Sequence, residues 1–135
     1  MDDPVFRVST YLGRSAIHGI GVYTPVFIPK GTVIWSFDPD VDWTLTDEEM
    51  ERFPDRYREK IRSYCYLDET GDWILCGDNA RFLNHSEEPN CDDWTSRSTI
   101  AHRDIEPGEE LTCDYRAFDL ASRDDRAEPY IRQTA

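Results

Sequence analysis

The chain has 135 residues, enough for one hydrophobic core and too few for two. Fifteen Lys plus Arg against 28 Asp plus Glu leave a formal net charge of −13, which argues against a phosphate-backbone partner, because nucleic-acid binding runs on clustered positive charge. With 39% hydrophobic and 13% aromatic residues the chain is too apolar for a disordered acidic tail, so it is expected to fold.

No apolar run approaches bilayer-spanning length, and Met1-Asp2-Asp3-Pro4 is acidic where a signal peptide would be basic. The expectation is a soluble, intracellular, cytoplasmic protein, with a nuclear location left open and no membrane partner. Cys65, Cys76, Cys91 and Cys113 are scattered singly, with no C-x-x-C pair to grip zinc, and read as free, mostly buried thiols.

Residues 5 to 37 read as short strands: Val5 to Val8 alternates, Gly19 and Gly21 punctuate, and Pro29-Lys30-Gly31 parts Val26-Phe27-Ile28 from Val33-Ile34-Trp35. Thr46-Asp47-Glu48-Glu49 is a capping box that predicts a helix start. Pro54 fits the first turn of a second helix, with Tyr57, Ile61 and Tyr64 or Cys65 at helical spacing. Trp73-Ile74-Leu75 is one more short strand. Ser98 to Ala101 and Glu110 to Cys113 flank Ile105-Glu106-Pro107-Gly108, an echo of the earlier Pro/Gly turn, and the segment from Asp119 on is weakly patterned.

Three stretches carry chemistry-bearing residues. In His18-Gly19-Ile20-Gly21-Val22 two glycines let backbone approach a ligand closely, although such a motif alone is more often a plain turn. Ala80 to Cys91 packs Arg81, Phe82, Asn84, His85 and Ser86 into a dense polar run that costs stability if buried without partners. A hydrolytic triad built on Ser86 and His85 fails, since adjacent residues rarely aim a nucleophile at its base and there is no G-x-S-x-G elbow. Gly108 to Tyr115 is a strand ending in an acid and a phenol. Tyr115 alone reads as a packing aromatic.

In this order, with "IPKG", "ARFLNHSEEPNC" and "DIEPGEELTCDY" as they stand, these segments resemble the SET-domain family of protein-lysine methyltransferases over roughly Val5 to Phe118. The resemblance implies a mostly β fold, a β-clip of short sheets with a pseudoknot and a small helical insert. The SET domain would span 1–118, the insert about 46–66, and 119–135 would be a tail able to close the lysine channel.

It further implies S-adenosylmethionine as cofactor, held by Gly19 and Gly21 with Asn84 and His85, with Arg81 and Phe82 bracing that segment and Phe118 beside it. Tyr115 would be catalytic, at the point where the methyl group passes to the lysine nitrogen of a Lys-rich protein or peptide. A non-catalytic SET-like interaction module is the alternative. Phe37 stands where many relatives carry a second active-site tyrosine, so a hydroxyl is expected to be missing there. Cys113 stands where an aromatic commonly limits the number of methyl groups, and its size suggests room for more than one. Glu87 stands where many relatives have a zinc-binding cysteine, so no metal is expected. Channel closure is left to Phe118 and the segment through Tyr130, or to a second subunit in a homodimer. The acidic groups are expected on the rim that attracts substrate and not at the reacting centre, where they would oppose amine deprotonation.

Overall fold

A computed structural model describes residues 6–95 and 98–119, without the side chains of Trp94, Thr95 and Phe118. In chain order the described strands are β1 (Tyr11–Arg14), β2 (Ile20–Tyr23), β3 (Val33–Ser36), β4 (Trp43–Leu45), β5 (Cys65–Leu67), β6 (Trp73–Leu75), β7 (Asn84–His85), β8 (Cys91–Thr95), β9 (Ser98–Ala101) and β10 (Glu110–Cys113). The helices are α1 (Asp47–Glu51), α2 (Asp55–Ser63) and α3 (Tyr115–Phe118), with a 3-10 turn at Asn79–Phe82. The strands form three small sheets, ordered β1-β2-β10-β7, β3-β9-β8 and β4-β6-β5. None of the described helices is long and apolar enough to cross a membrane.

The echoed Pro/Gly turns meet in space. Ile28 and Ile105 exchange backbone hydrogen bonds of 2.9 and 2.8 Å, and both side chains are buried. Gly108 N–H donates to the Thr24 carbonyl at 2.7 Å, fixing the second turn against the chain that leaves β2. Segments distant in sequence are thereby aligned, so β10 pairs antiparallel with β2 and, on its other edge, parallel with β7. The core forms where the sheets converge, around Val22, Ile34, Ile74, Ile105 and Leu111, all fully buried.

The helical insert forms in part as expected. Thr46 Oγ1 accepts from Glu49 N–H and the Glu49 carboxylate accepts from Thr46 N–H, both at 3.0 Å, so two of the orphan amides at the start of α1 are satisfied reciprocally. Pro54, expected inside the first turn of α2, is instead its N-cap. Helix α2 buries none of its side chains completely, and Tyr57 is 51% exposed. Cys65, read as a continuation of that helix, lies in β5. Helical spacing is a weak guide over so few residues, and Trp73-Ile74-Leu75 needs a partner on each edge. Pairing Tyr66 with Ile74 buries both, whereas a longer helix would have left them facing water. The Val5 to Val8 strand reduces, in the described residues, to a single bridge between Phe6 and Trp35, and hairpin strand β1 begins later, at Tyr11.

Candidate functional site

The glycine loop is shaped by one carboxylate. Ser15 N–H donates to the Gly19 carbonyl at 2.8 Å, and Ser15 Oγ accepts from Ile17 and His18 N–H at 2.9 and 3.3 Å. The same hydroxyl donates to the Glu110 carboxylate at 2.8 Å. Glu110 lies directly over Gly21: a Cβ there would sit 2.2 Å from Glu110 Oε2, so only glycine lets the carboxylate reach the loop. Gly19 differs in its reason, since it takes φ +49° and a Cβ there would meet nothing within 4 Å. Glycine is required there by that backbone conformation and not by crowding.

From the other edge of β10, the amide of buried Asn84 reaches the same loop. Its Nδ2 lies 3.0 Å from the His18 carbonyl, 3.1 Å from that of Ile20 and 2.9 Å from Glu110 Oε2, with its two hydrogens shared among the three acceptors. Asn84, Glu110 and the Gly19–Gly21 loop therefore form one clamp.

His85 couples this clamp to Tyr115. A backbone N–H can only donate, so the 3.1 Å bond from Tyr115 N to His85 Nδ1 puts the imidazole proton on Nε2, which faces Glu87 at 3.2 Å. Arg116 at 2.8 Å, and then His85, hold the Glu87 carboxyl below its ordinary range. The Tyr115 hydroxyl donates to the Leu83 carbonyl, one residue before Asn84. With its proton so placed, the phenolic oxygen has only acceptor capacity left.

Tyr115 forms part of the wall of a cleft of about 570 Å³, counted out to its open mouth. Trp35, Tyr64, Tyr66, Cys113, Asp93 and Asp119 share that wall, as does Arg81, whose guanidinium lies 5.9 Å from the Tyr64 ring centroid and 5.1 Å from that of Phe82. Thus Arg81 and Tyr115 are cleft residues, whereas Gly19, Gly21, Asn84 and His85 build the neighbouring clamp. The two meet at Leu83-Asn84 and along β10. The side chain of Phe118 and the whole of 120–135 lie outside the described residues, and with them the expected lid.

One expectation needs correction. Acidic groups are not confined to the rim: Asp93 and Asp119 stand on the cleft wall. Asp119 Oδ1 accepts from Leu67 N–H at 2.8 Å. Asp93 Oδ1 accepts from the Thr99 hydroxyl, its Oδ2 is closed off from solvent without a partner among the described residues, and burial pushes its carboxyl up to about 6. Phe37 packs against the core, and Tyr64 and Tyr66, from the turn before β5 and from β5 itself, bring hydroxyl-bearing rings to the cleft.

Cys113, the last residue of β10, is fully buried. Hydrogen bonding with Cys91 and burial hold its thiol well above the ordinary value, and burial takes Cys65 up to about 12, so both stay neutral thiols. Among the described residues Asp42, Cys76 and Asp78 bring one ligand-type atom each within 4.8 Å of the others. Both carboxylates are in use by the fold: Asp42 accepts from Gly77 and Asp38 N–H, and Asp78 caps the 3-10 turn through Ala80 N–H.

A sequence model described as the SET domain matches residues 19–116. The chain belongs to the SET-domain family. Relatives include the Drosophila melanogaster histone-lysine N-methyltransferase trr, 37% identical over a 126-residue alignment that covers 85% of this chain. The Drosophila histone-lysine N-methyltransferase ash1 is 38% identical over a 112-residue alignment that covers 75% of this chain. This SET domain spans 5% of the length of each of those relatives. The solved Neurospora SET domain protein DIM-5, a histone lysine methyltransferase, superposes with a TM-score of 0.59 at 23% identity, over 82% of this chain and 53% of that one. The mostly β fold with its small helical insert is thus that of SET domains.

Four residues of this SET domain carry structural weight at the site beyond those read from the sequence: Glu110, Tyr64, Tyr66 and Asp93. Glu110 had a readable signal, since "GEEL" places it on a strand between the glycine turn and Tyr115. Asp93 had none, being one acid among 28.

Proposed function

We propose that this SET domain transfers methyl groups from S-adenosylmethionine to the side-chain amine of lysine in a protein substrate. The observation that carries the reading is the junction at Leu83-Asn84: one residue anchors the phenol of the cleft and the next anchors the glycine loop. Cofactor and amine sites built on the two halves would adjoin.

The cofactor fits the clamp because the space beside Gly19 is open where a side chain would stand, and Asn84, Glu110 and Ser15 hold the loop's shape. Gly19 and Gly21, with the Asn84-His85 segment, are the residues we assign to hold it, and Arg81 and Phe118 the flanking ones. When bound, S-adenosylmethionine supplies an electrophilic methyl on a positively charged sulfur. The chain's part is positioning. Tyr115, its hydroxyl proton committed to Leu83, offers a fixed oxygen acceptor for polarised C–H or N–H groups. Tyr64, Tyr66 and Trp35 wall a channel suited to the aliphatic stem of lysine, and partial desolvation there lowers the amine pKa from about 10.4. The net charge of −13 favours a basic polypeptide as partner, and the names of the relatives make histones the first to try.

Calorimetric titration with S-adenosylmethionine, followed by labelled-methyl transfer to core histones and to a basic protein mixture, tests this. Tyr115→Phe is expected to bind cofactor as tightly as the unmodified chain and to transfer nothing. A fully active Tyr115→Phe removes that residue from its role, binding without transfer favours the interaction-module reading, and no cofactor binding sinks both.

A further inference from the structure

We propose that Glu87 is a positioning residue for Tyr115, acting through His85: its carboxylate takes the imidazole Nε2–H and thereby keeps Nδ1 a bare acceptor for the Tyr115 backbone N–H. The inference rests on the methyl-transfer reading and deepens it. Tyr115 is held at both ends by one short segment. Its N–H donates to His85 Nδ1 at 3.1 Å, and its hydroxyl donates to the Leu83 carbonyl two residues earlier. The His85 and Tyr115 rings meet edge to face, with centroids 5.5 Å apart. The Leu83 carbonyl can only accept. The imidazole has two neutral tautomers, and only the one protonated on Nε2 can serve Tyr115.

What chooses the tautomer is the partner offered to each ring nitrogen. The His85 side chain is fully buried, so a ring N–H without an acceptor is costly there. Among the described residues two carboxylates face the ring, one at each nitrogen. Glu87 Oε1 lies 3.2 Å from Nε2, and Asp114 Oδ1 lies 3.7 Å from Nδ1. The Asp114 oxygen already accepts from Arg116 N–H at the head of α3. Glu87 Oε1 also takes Arg116 Nη1 at 2.8 Å, and that guanidinium, with His85, keeps the Glu87 carboxyl ionised. Without Glu87 the carboxylate left to the imidazole proton is Asp114, on the Nδ1 side. A proton on Nδ1 points at the Tyr115 N–H, and two donors make no hydrogen bond. The Tyr115 backbone then leaves the ring, and the phenol shifts with it. Loss of Glu87 therefore acts on the transfer step. It spares the clamp of Asn84, Glu110 and the Gly19–Gly21 loop, whose hydrogen bonds do not run through Glu87.

The tautomer is read directly from two-bond proton–nitrogen NMR spectra of the full chain labelled at histidine, in alkaline buffer where imidazoles are neutral. We expect the His85 proton on Nε2 in the unmodified chain. Glu87→Ala is expected to move it to Nδ1 and to shift the Tyr115 amide resonance. Glu87→Gln keeps an acceptor oxygen and is expected to restore the Nε2 proton. With S-adenosylmethionine and core histones, Glu87→Ala is expected to lower kcat about tenfold at unchanged KM, and Glu87→Gln to recover most of that loss. A role confined to the ion pair with Arg116 would leave the tautomer unmoved in both variants. An Nδ1 proton in the unmodified chain, or an unmoved tautomer in Glu87→Ala, overturns the assignment. Should Glu87→Ala not fold, the tautomer of the unmodified chain decides alone, with the proton on Nε2 supporting the assignment and on Nδ1 refuting it. If the unmodified chain methylates neither core histones nor a basic protein mixture, the methyl-transfer reading fails, and the spectra still decide whether Glu87 sets Tyr115. If histones are methylated and Glu87→Ala keeps its full kcat, the transfer reading stands and the Glu87 assignment fails.

Discussion

Asp93→Asn has a consequence for stability that needs no substrate. The carboxyl is raised from its ordinary 3.8 to about 6, with burial the leading cause and the Thr99 hydrogen bond opposing it. A carboxyl with a raised folded-state pKa contributes stability that is fully present below the unfolded-state value and is lost as pH rises through the folded one. The shift is worth about 3 kcal/mol in all, of which about 2 kcal/mol falls between about pH 4 and about pH 7. The amide that replaces the carboxylate has its own unsatisfied N–H groups, so the absolute difference between the two proteins at any one pH is not diagnostic. The pH dependence of that difference is, because every other titrating group is common to both and cancels. Urea unfolding of both proteins across that range should show the unmodified chain losing about 2 kcal/mol relative to Asp93→Asn as pH rises, a relative midpoint shift of about 1 M for a urea m-value of about 2 kcal/mol/M. Two stability curves that run parallel from acid to neutral pH would show that Asp93 is solvated and would remove burial as the cause of its raised carboxyl.

Gly21→Ala puts a methyl group where Glu110 now sits, and the carboxylate, as the movable partner, must leave its bonds to Ser15 and Asn84. We expect about 2 kcal/mol lower stability by urea unfolding and about tenfold weaker S-adenosylmethionine binding by calorimetry, and unaltered binding would detach the loop's shape from cofactor affinity. Thr46→Ala removes the capping box of α1 and should cost about 1 kcal/mol in thermal or urea unfolding, with methyl transfer unchanged, because nothing in that cap touches the cleft.

The parts of this molecule that sequence made legible are those where a local rule has one answer. A capping box can only start a helix, and a Pro/Gly turn between alternating residues can only join strands. The likeness of four ordered motifs to a known family then carried what local rules could not: that His18 to Val22, Asn84-His85 and Tyr115 share one place. Local pattern failed where two elements compete for the same few residues. Tyr64 and Cys65 keep helical spacing with Ile61, yet β6 has an open edge, and sheet pairing there buries Tyr66 and moves this stretch to the cleft. Charge failed differently. In a chain with 28 acids, Asp93 and Glu110 are indistinguishable from solvated ones until their surroundings are known. Glu110 proves to be the keystone of the loop, and Asp93 a largely buried acid bonded to Thr99 on the cleft wall.

Why so much depends on β10 follows from the two-residue repeat of a strand. Glu110 and Thr112 point to one face, Leu111 and Cys113 to the other. Glu110 therefore reaches the glycine loop and Asn84, while Thr112 Oγ1 accepts from Asn90 N–H at 3.2 Å and ties down the turn that follows His85. On the opposite face Leu111 fills the core and Cys113 closes part of the cleft. Asp114 then caps α3 through Arg116 N–H at 3.0 Å, which stops the strand and turns Tyr115 toward Leu83. A slip of one residue in the pairing with β2 would exchange these faces, placing Glu110 in the core and leucine over the loop. The register is held against that by Gly21, whose missing Cβ is filled by the Glu110 carboxylate, and by the Thr24 and Gly108 bond at the strand's entrance. The same contacts that give the loop its shape thus also set the position of the phenol on the far side of the strand.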